Sequence, residues 1–484
     1  MNDAAPAIES AFKERRNKAI EYHNASMQAV GHDKMLAYRL LCSAVTVDPS
    51  FAQGFYALGN ACADLRMIPA SIAAFRRQLE LPLGPLAGDL NVEFQIKGMI
   101  NLAHRLQSDG LIEEAYQVNE DALQLLVAHP DLDDEGTAFA ATNMSLILSI
   151  LGRDLGAIQF ARRAFEQSKE PIIEVGLAFA LMHAGYYAEG LARFEARFSY
   201  KPAMRSYLEY PYKLWAGEEH HGKTLFVPAE AGLGDTISFT RFIGQAARRV
   251  KRVIYAVQPE LVRLLRASLK RWANVEVIPL TTGFPIADVW RAVGSLPVAL
   301  DLSDSEIRDY PQAWQPQGDD PAPPEWLAPD RKLHIGIAWA GSPDNDIDRF
   351  RSIPFSQFLG LYRVPGVQLY SLQVGPHVAD LHGAGAAALV RDLSPYIRDA
   401  CDTVGLMRNL DLIIAAESFV PHLAAAAGKE VWIPLSKLGG DWRCGRNSDQ
   451  PIWYPHTKLV RQGPDAQWQP VFDRIVEMLK GRVV

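Results

Sequence analysis

The chain has 484 residues, room for about three domains at roughly 150 residues each. It is 48% hydrophobic and 22% charged, a composition that fits globular domains with sizeable cores and excludes a disordered or fibrous chain. The net charge of −7 is unevenly spread: residues 1–200 carry 17 Lys and Arg against 25 Asp and Glu, and the remainder 32 against 31, so no stretch reads as a nucleic-acid surface.

The opening MNDAAPAIESAFKERRNK lacks the apolar core of a signal peptide, and no apolar run is long enough to span a bilayer, so a cytoplasmic location is expected. Cys42, Cys62, Cys401 and Cys444 are scattered without CxxC or Cys/His spacing. Neither a disulfide framework nor a metal site is expected from them, and they read as small buried thiols.

The first 200 residues read as helical and repetitive. In 52–83, Leu58, Gly59, Ser71 and Phe75 occupy the small and apolar positions of a tetratricopeptide hairpin, with Pro82 near its close. A shift back by 34 residues places Ala37, Leu41, Ala44 and Pro49 in register. Later units are looser: Leu102, Gly110 and Ala115; Gly152 and Ala157; Leu177, Gly185 and Phe194. About four or five hairpins are expected, forming an array of the kind that presents a concave surface to extended peptides or helices, or that serves as a scaffold.

From about residue 220 strands alternate with helices. KTLFVPAE, RVIYAVQPE and VEVIPL read as buried strands, with helices at about 235–249 and 259–271. The segment 301–332 is rich in Pro and acidic residues and reads as a hinge. A second series follows in LHIGIAWAG, VQLYSLQVG, DLIIAAES and KEVWIPL, with helices near 355–362, 402–409 and 420–427. The fold class expected is therefore α plus α/β: a helical array followed by two parallel-sheet lobes, with ligands at the carboxyl ends of their strands.

Within TLFVPAEAGLGDTISFTR, Gly232 and Gly234 let the backbone turn and approach a ligand, and the following helix aims its N-terminal amides at the same place. A carboxylate there disfavours phosphate, so Asp235 is read either as an acceptor of a substrate proton or as a plain helix cap. In the second lobe Glu417 and Ser418 fall at a strand end before the alanine-rich helix 420–427, whose amides, with the Ser418 hydroxyl, can hold a diphosphate. His422 on its first turn is either a phosphate or sugar contact or a structural histidine. Arg349 and Arg351, in SPDNDIDRFRSIP, are available to a leaving diphosphate or belong to a solvated loop with Asp344, Asp346 and Asp348. Gln373, in SLQVG, closes another strand as a nucleotide contact or an ordinary polar terminus.

Together GLGDTISFTRFI, GIAWAGSPDNDIDRFRSIP, SLQVG, NLDLIIAAESFVPHLAAAAGKEVWIPL and DWRCGRNSDQPIWYPHTKLVRQ resemble the bacterial tetratricopeptide glycosyltransferases whose catalytic half is similar to lipopolysaccharide heptosyltransferases. The resemblance covers about 220–484 and extends upstream through HAGYYAEGLARFEARF. It implies an inverting, metal-independent transferase of the GT-B type with a nucleotide-sugar donor and no further cofactor. The domains it implies are a repeat array at 1–200, an N-terminal lobe with hinge at 201–330 and a donor-binding lobe at 331–484. Asp235 matches the family's general base, Glu417–His422 its diphosphate-binding helix start, and Arg351 a basic phosphate contact. Relatives have Asp-Thr-Ser where this chain has Glu417-Ser418-Phe419, and Ala in place of Pro421, which alters the mouth of the donor site. The resemblance further implies a protein acceptor held by the array, flagellin being an acceptor of similar architectures. Two alternatives stand beside it: a heptosyltransferase-like enzyme acting on a cell-surface saccharide or lipid core, and an adaptor whose lobes have lost catalysis.

Overall fold

A computed structural model of the chain describes residues 4–81, 89–131, 134–200, 202–280, 283–309, 332–343, 345, 348–438, 440–445, 453–454 and 456–482. The chain divides into two compact units, Met1–Ala180 and Leu181–Val484.

The first unit is a tetratricopeptide-like series of antiparallel helix pairs. Ala4–Ala29 packs on Lys34–Val47, Ala52–Asp64 on Ile68–Glu80, Asp89–Asp109 on Ile112–Ala128, and Asp134–Ile150 on Asp154–Gln167. Helix Pro171–His183 runs across the boundary between the units, and helix Tyr187–Phe194 lies in the second.

The small residues of the pattern sit where helices touch. Ala44, Ala115, Ala122, Ala157 and Ala164 are fully buried. In the second pair the Ser71 hydroxyl donates to the Gly59 carbonyl at 2.7 Å, and the Phe75 ring lies where a Cβ on Gly59 would be. The turns inside later pairs use Gly110, Gly152 and Gly185 at positive φ, and Arg66 takes the same left-handed position in the second pair. Helix length explains why the 34-residue return fades: Asp89–Asp109 has 21 residues where Ala52–Asp64 has 13. Pro82 lies outside the described residues.

The second unit contains two all-parallel sheets among its described residues. The first runs β1-β5-β2-β3-β4, from β1 (Lys213–Leu214), β2 (His220–Pro228), β3 (Val250–Val257), β4 (Val275–Pro279) and β5 (Val289–Trp290). The second runs β11-β10-β9-β6-β7-β8, from β6 (Leu333–Ala338), β7 (Val367–Ser371), β8 (Val390–Asp392), β9 (Leu412–Ala415), β10 (Val431–Leu435) and β11 (Thr457–Arg461). Counted from β6, this is the 3-2-1-4-5-6 order of a doubly wound sheet, with the order reversing between β6 and β9. In the first sheet the reversal falls between β2 and β5. Strands β9 and β10 are buried at every residue, as strands covered on both faces are.

The helix expected over 235–249 is interrupted. Leu233–Phe239 passes through the tight turn Thr240–Phe242 into Ile243–Arg249, and the Ser238 and Thr240 hydroxyls bond back to the carbonyls four residues earlier, which tightens the helix there. The stretch expected to be a hinge lies mostly outside the described residues; its start carries the helix Asp304–Asp309.

Two ties join the sheets. Helix Leu233–Phe239 packs on Phe419–Ala426, and helix Pro259–Ser268 on Ala400–Met407, where Arg263 forks onto Asp399 at 2.8 and 2.7 Å and also reaches Asp402. Burial would raise the Asp402 carboxyl, yet bonds from Arg398 and Arg263 outweigh it and hold its pKa at about 2.

The segment following helix Tyr187–Phe194 is built into the first sheet. Arg197, 2% exposed, forks onto Glu230 at 2.8 and 2.7 Å and also donates to Glu195 and Ser295. Arg291 closes the cluster on Glu195 at 2.7 Å. Each buried charge has an opposite partner here, so removing one strands the others. Arg197→Ala is expected to lower the unfolding free energy of the second unit by about 3–5 kcal/mol. Urea denaturation measures this, and a loss under about 1 kcal/mol would show that the cluster contributes little.

Candidate functional site

The GLGD turn leaves the carboxyl end of β2 beside the point where the strand order reverses. Its left-handed residue is Ala231, at φ 59, while Gly232 is extended at φ −82 as the helix N-cap. The turn therefore does not depend on Gly232 for an unusual φ. Gly234 serves close approach: a Cβ there would lie 2.9 Å from His422 Cδ2. Asp235, the third residue of the helix, accepts the Gly232 N–H on Oδ2 at 3.1 Å and a bond from Arg443 on Oδ1 at 2.6 Å. Its side chain is 36% exposed.

The second group gathers at the ends of β6 and β9. Glu417 is 5% exposed, and its Oε2 accepts the Asp441 N–H at 3.1 Å. Ser418 is the N-cap of Phe419–Ala426, but its hydroxyl donates to the Ala416 carbonyl at 3.1 Å rather than capping. Pro421 has no N–H, so this first turn offers one fewer amide than a helix start normally does. Arg351 is braced by Asp348 at 3.1 Å and lies against Gly341, just beyond β6. Arg349 is exposed, its guanidinium over the Phe350 ring at 4.6 Å. Asp344 and Asp346 lie outside the described residues. Gln373 is buried, and its amide bonds the backbone at Trp339, Ala340 and Val374, so it braces the β6 end.

The structure thus brings Gly234, Asp235, Glu417, His422 and Arg351 into one charged neighbourhood, while Arg349 is at the surface and Gln373 is bound to backbone. Arg443 is its centre. Placed by the short turn Trp442–Cys444, it is 4% exposed, donates to Asp441 at 2.5 Å and to Asp235 at 2.6 Å, and lies over Phe239, Trp442 and Trp453 at 5.2, 4.8 and 5.4 Å. His422 Nδ1 lies 3.2 Å from the Ser238 hydroxyl and 3.3 Å from that of Tyr454. Loss of water around the ring and then the Arg443 charge push His422 down to about 4, so it is neutral near pH 7 and offers hydrogen bonds, not charge. Burial first, and then Asp441, push Glu417 up to about 8 despite Arg351 and Arg443. At neutral pH Arg443 is thus met by Asp235 and Asp441, and Arg351 by Asp348, with Glu417 carrying its proton.

Sequence reasoning singled out neither Arg443 nor Asp441, Ser238, Tyr454 or Arg241. Arg241 is 1% exposed, donates to the Trp453 carbonyl at 3.0 Å and stacks on Trp453 at 4.6 Å. The signal available was the tryptophan between two charges in DWRC and the adjacent Trp453 and Tyr454 of QPIWYP, which offer aromatic faces to cationic side chains. The thiols of Cys62, Cys401 and Cys444 are buried as expected, and Cys42 is partly exposed.

No family model matches the chain. It is similar to Protein FlbA of Caulobacter vibrioides, 23% identical over 354 residues, which cover 68% of this chain and 55% of that protein. The chain thus spans about half the length of this curated relative. Among solved structures it is similar to MamA from Desulfovibrio magneticus RS-1 (17% identity, 38% of this chain, 96% of that one, TM-score 0.30) and to a thermophilic tetratricopeptide protein of Thermus thermophilus (18%, 40%, 97%, TM-score 0.30). It is also similar to YrrB, a tetratricopeptide protein with an unusual peptide-binding site (16%, 42%, 96%, TM-score 0.29). Among the described residues no helix is long and apolar enough to cross a membrane.

The state of Glu417 sets a sign for the pH dependence. Its carboxyl titrates at about 8 in the fold against an ordinary 4.5, so between these values the folded chain keeps a proton that the unfolded chain releases, and this contribution to stability is lost as pH rises. Glu417→Gln removes that dependence. Urea denaturation at pH 5 and pH 8 should show the wild type losing more stability across the interval than the variant, by on the order of a few kcal/mol. Equal losses would show that Glu417 does not hold its proton.

Proposed function

We propose that the second unit is a nucleotide-sugar-dependent, inverting glycosyltransferase of the two-lobed GT-B type, and that the helical repeats hold a protein acceptor. The observation that carries this reading is the meeting of two strand-end sites: the Asp235 turn after β2 touches His422 and Arg443 beside the Glu417–Ser418 end of β9. Both lie where strand order reverses, which is where doubly wound sheets bind ligands. In the reaction an acceptor hydroxyl oxygen bonds the anomeric carbon as the bond from that carbon to the phosphate oxygen breaks. The bonding electrons leave with the phosphate, and the hydroxyl proton passes to Asp235. Arg351 and the amides of Phe419 and Val420 stabilise the charge that develops on the phosphate.

An acceptor delivered by the array is a protein, and flagellin is a candidate through the resemblance of the sequence to flagellin-modifying enzymes of this architecture. The adaptor reading is favoured by one observation, that both Asp235 oxygens are already engaged. Calorimetry against nucleoside diphosphates separates the two, because an adaptor has no need to retain such a pocket.

Asp235→Ala is expected to lower glycosyl transfer about 100- to 10,000-fold without unfolding the chain. Wild-type turnover by this variant would remove Asp235 from the mechanism. Truncation of residues 1–180, which leaves the Arg197–Glu230 cluster intact, should preserve donor binding and abolish modification of the protein acceptor, read by intact mass. Full modification by the truncated chain would give the array another task.

A further inference from the structure

The engagement of Asp235 by Arg443 poses a chemical difficulty for a general base. A carboxylate with one oxygen on a backbone N–H and the other on a guanidinium is poorly placed to accept a proton. Resting on the glycosyltransferase reading, we propose that Arg443 is a ligand of the leaving nucleotide's phosphate, and that its pairing with Asp235 is a resting state which donor binding undoes. Turning from carboxylate to phosphate, the guanidinium frees Asp235 Oδ1 for the acceptor hydroxyl, so the base becomes competent only once the donor is in place.

Four observations support this. First, Arg443 is held between two carboxylates from different lobes, Asp235 and Asp441, which stand in for an anion of greater charge. Second, its Nε is buried and has no hydrogen-bond partner among the described residues, although buried donors are nearly always paired. Third, the rings of Phe239, Trp442 and Trp453 pack around the guanidinium without accepting hydrogen bonds from it, which leaves its N–H groups able to exchange one anionic partner for another. Fourth, Asp441 ties its backbone N–H to Glu417 at the end of β9, so the root of the arginine is fixed at the edge where the donor phosphate is expected. A guanidinium forks onto phosphate as readily as onto carboxylate, and phosphate carries more charge.

A structural ion pair and a resting latch predict opposite results. Calorimetry of the full chain is run with ADP, GDP, UDP, TDP, CDP and CMP, and the tightest ligand of the wild type is then titrated into two variants. Arg443→Ala should weaken binding at least tenfold. Asp235→Asn, by removing the competitor for Arg443, should tighten it about three- to tenfold. Should Arg443→Ala fail to fold, Arg443→Lys keeps a charge for the two aspartates but not the fork, and at least fivefold weaker binding is expected. Binding by the arginine variant within twofold of the wild type overturns the inference, as does weakening by Asp235→Asn to the same extent as by the arginine variant; in both cases the transferase reading stands. Failure of the wild type to bind any of the six nucleotides overturns the transferase reading and the inference with it.

Discussion

Arg443, buried between Asp235 and Asp441, stands where the two sheets of the second unit meet. A guanidinium removed from water is tolerated only when opposite charge reaches it from close range, and here that charge comes from the turn after β2 and from the arginine's own turn. The requirement brings helix Leu233–Phe239 against Phe419–Ala426, where Gly234 is small enough to admit the His422 ring. Arg263 with Asp399 and Asp402 repeats the arrangement at the second tie, and Arg197 with Glu230 fastens the preceding segment to the first sheet. Arg263 and Arg197 fork onto one carboxylate each, while Arg443 divides its bonds between two, and in all three the geometry supplies direction as well as attraction.

The same charge balance sets the chemistry available at the meeting point. With Glu417 protonated and His422 neutral, the two arginines beside them are already met by carboxylates, Arg443 by Asp235 and Asp441 and Arg351 by Asp348. Glu417 is accommodated by holding its proton and accepting the Asp441 N–H. Ser418, whose hydroxyl turns to the Ala416 carbonyl, and Pro421, which has no N–H, reduce the donors at the helix start.

Much of the architecture was legible in the chain itself. The recurrence of small and large residues identified the helical pairs, because close helix contacts favour Ala, Gly and Ser, and strands β2, β3, β4, β6, β7, β9 and β10 were readable from their apolar, β-branched runs. The short strands β1, β5 and β8 were not, since two or three residues carry no periodic pattern, and β5 exists because β2 offers it a free edge. Nor was the break in helix 235–249, which depends on hydroxyls turning back onto the helix.

For the site, sequence alone located the turns at the ends of β2 and β9, because glycine before a helix and a polar pair after an apolar strand are local signals. Tertiary structure decided everything that depends on a partner distant in the chain. Asp235 and Arg443 are 208 residues apart, and no local pattern encodes their bond. Gln373 and Arg349, which looked equivalent to Arg351 as strand-end polar groups, differ because one is used by backbone and the other faces solvent. The left-handed residue of the GLGD turn proved to be an alanine, since position in the fold and not residue preference fixed that φ. Local chemistry thus specified which elements form and where the turns at the strand ends lie, while pairing of buried charge across the sheets specified which side chains stand together there.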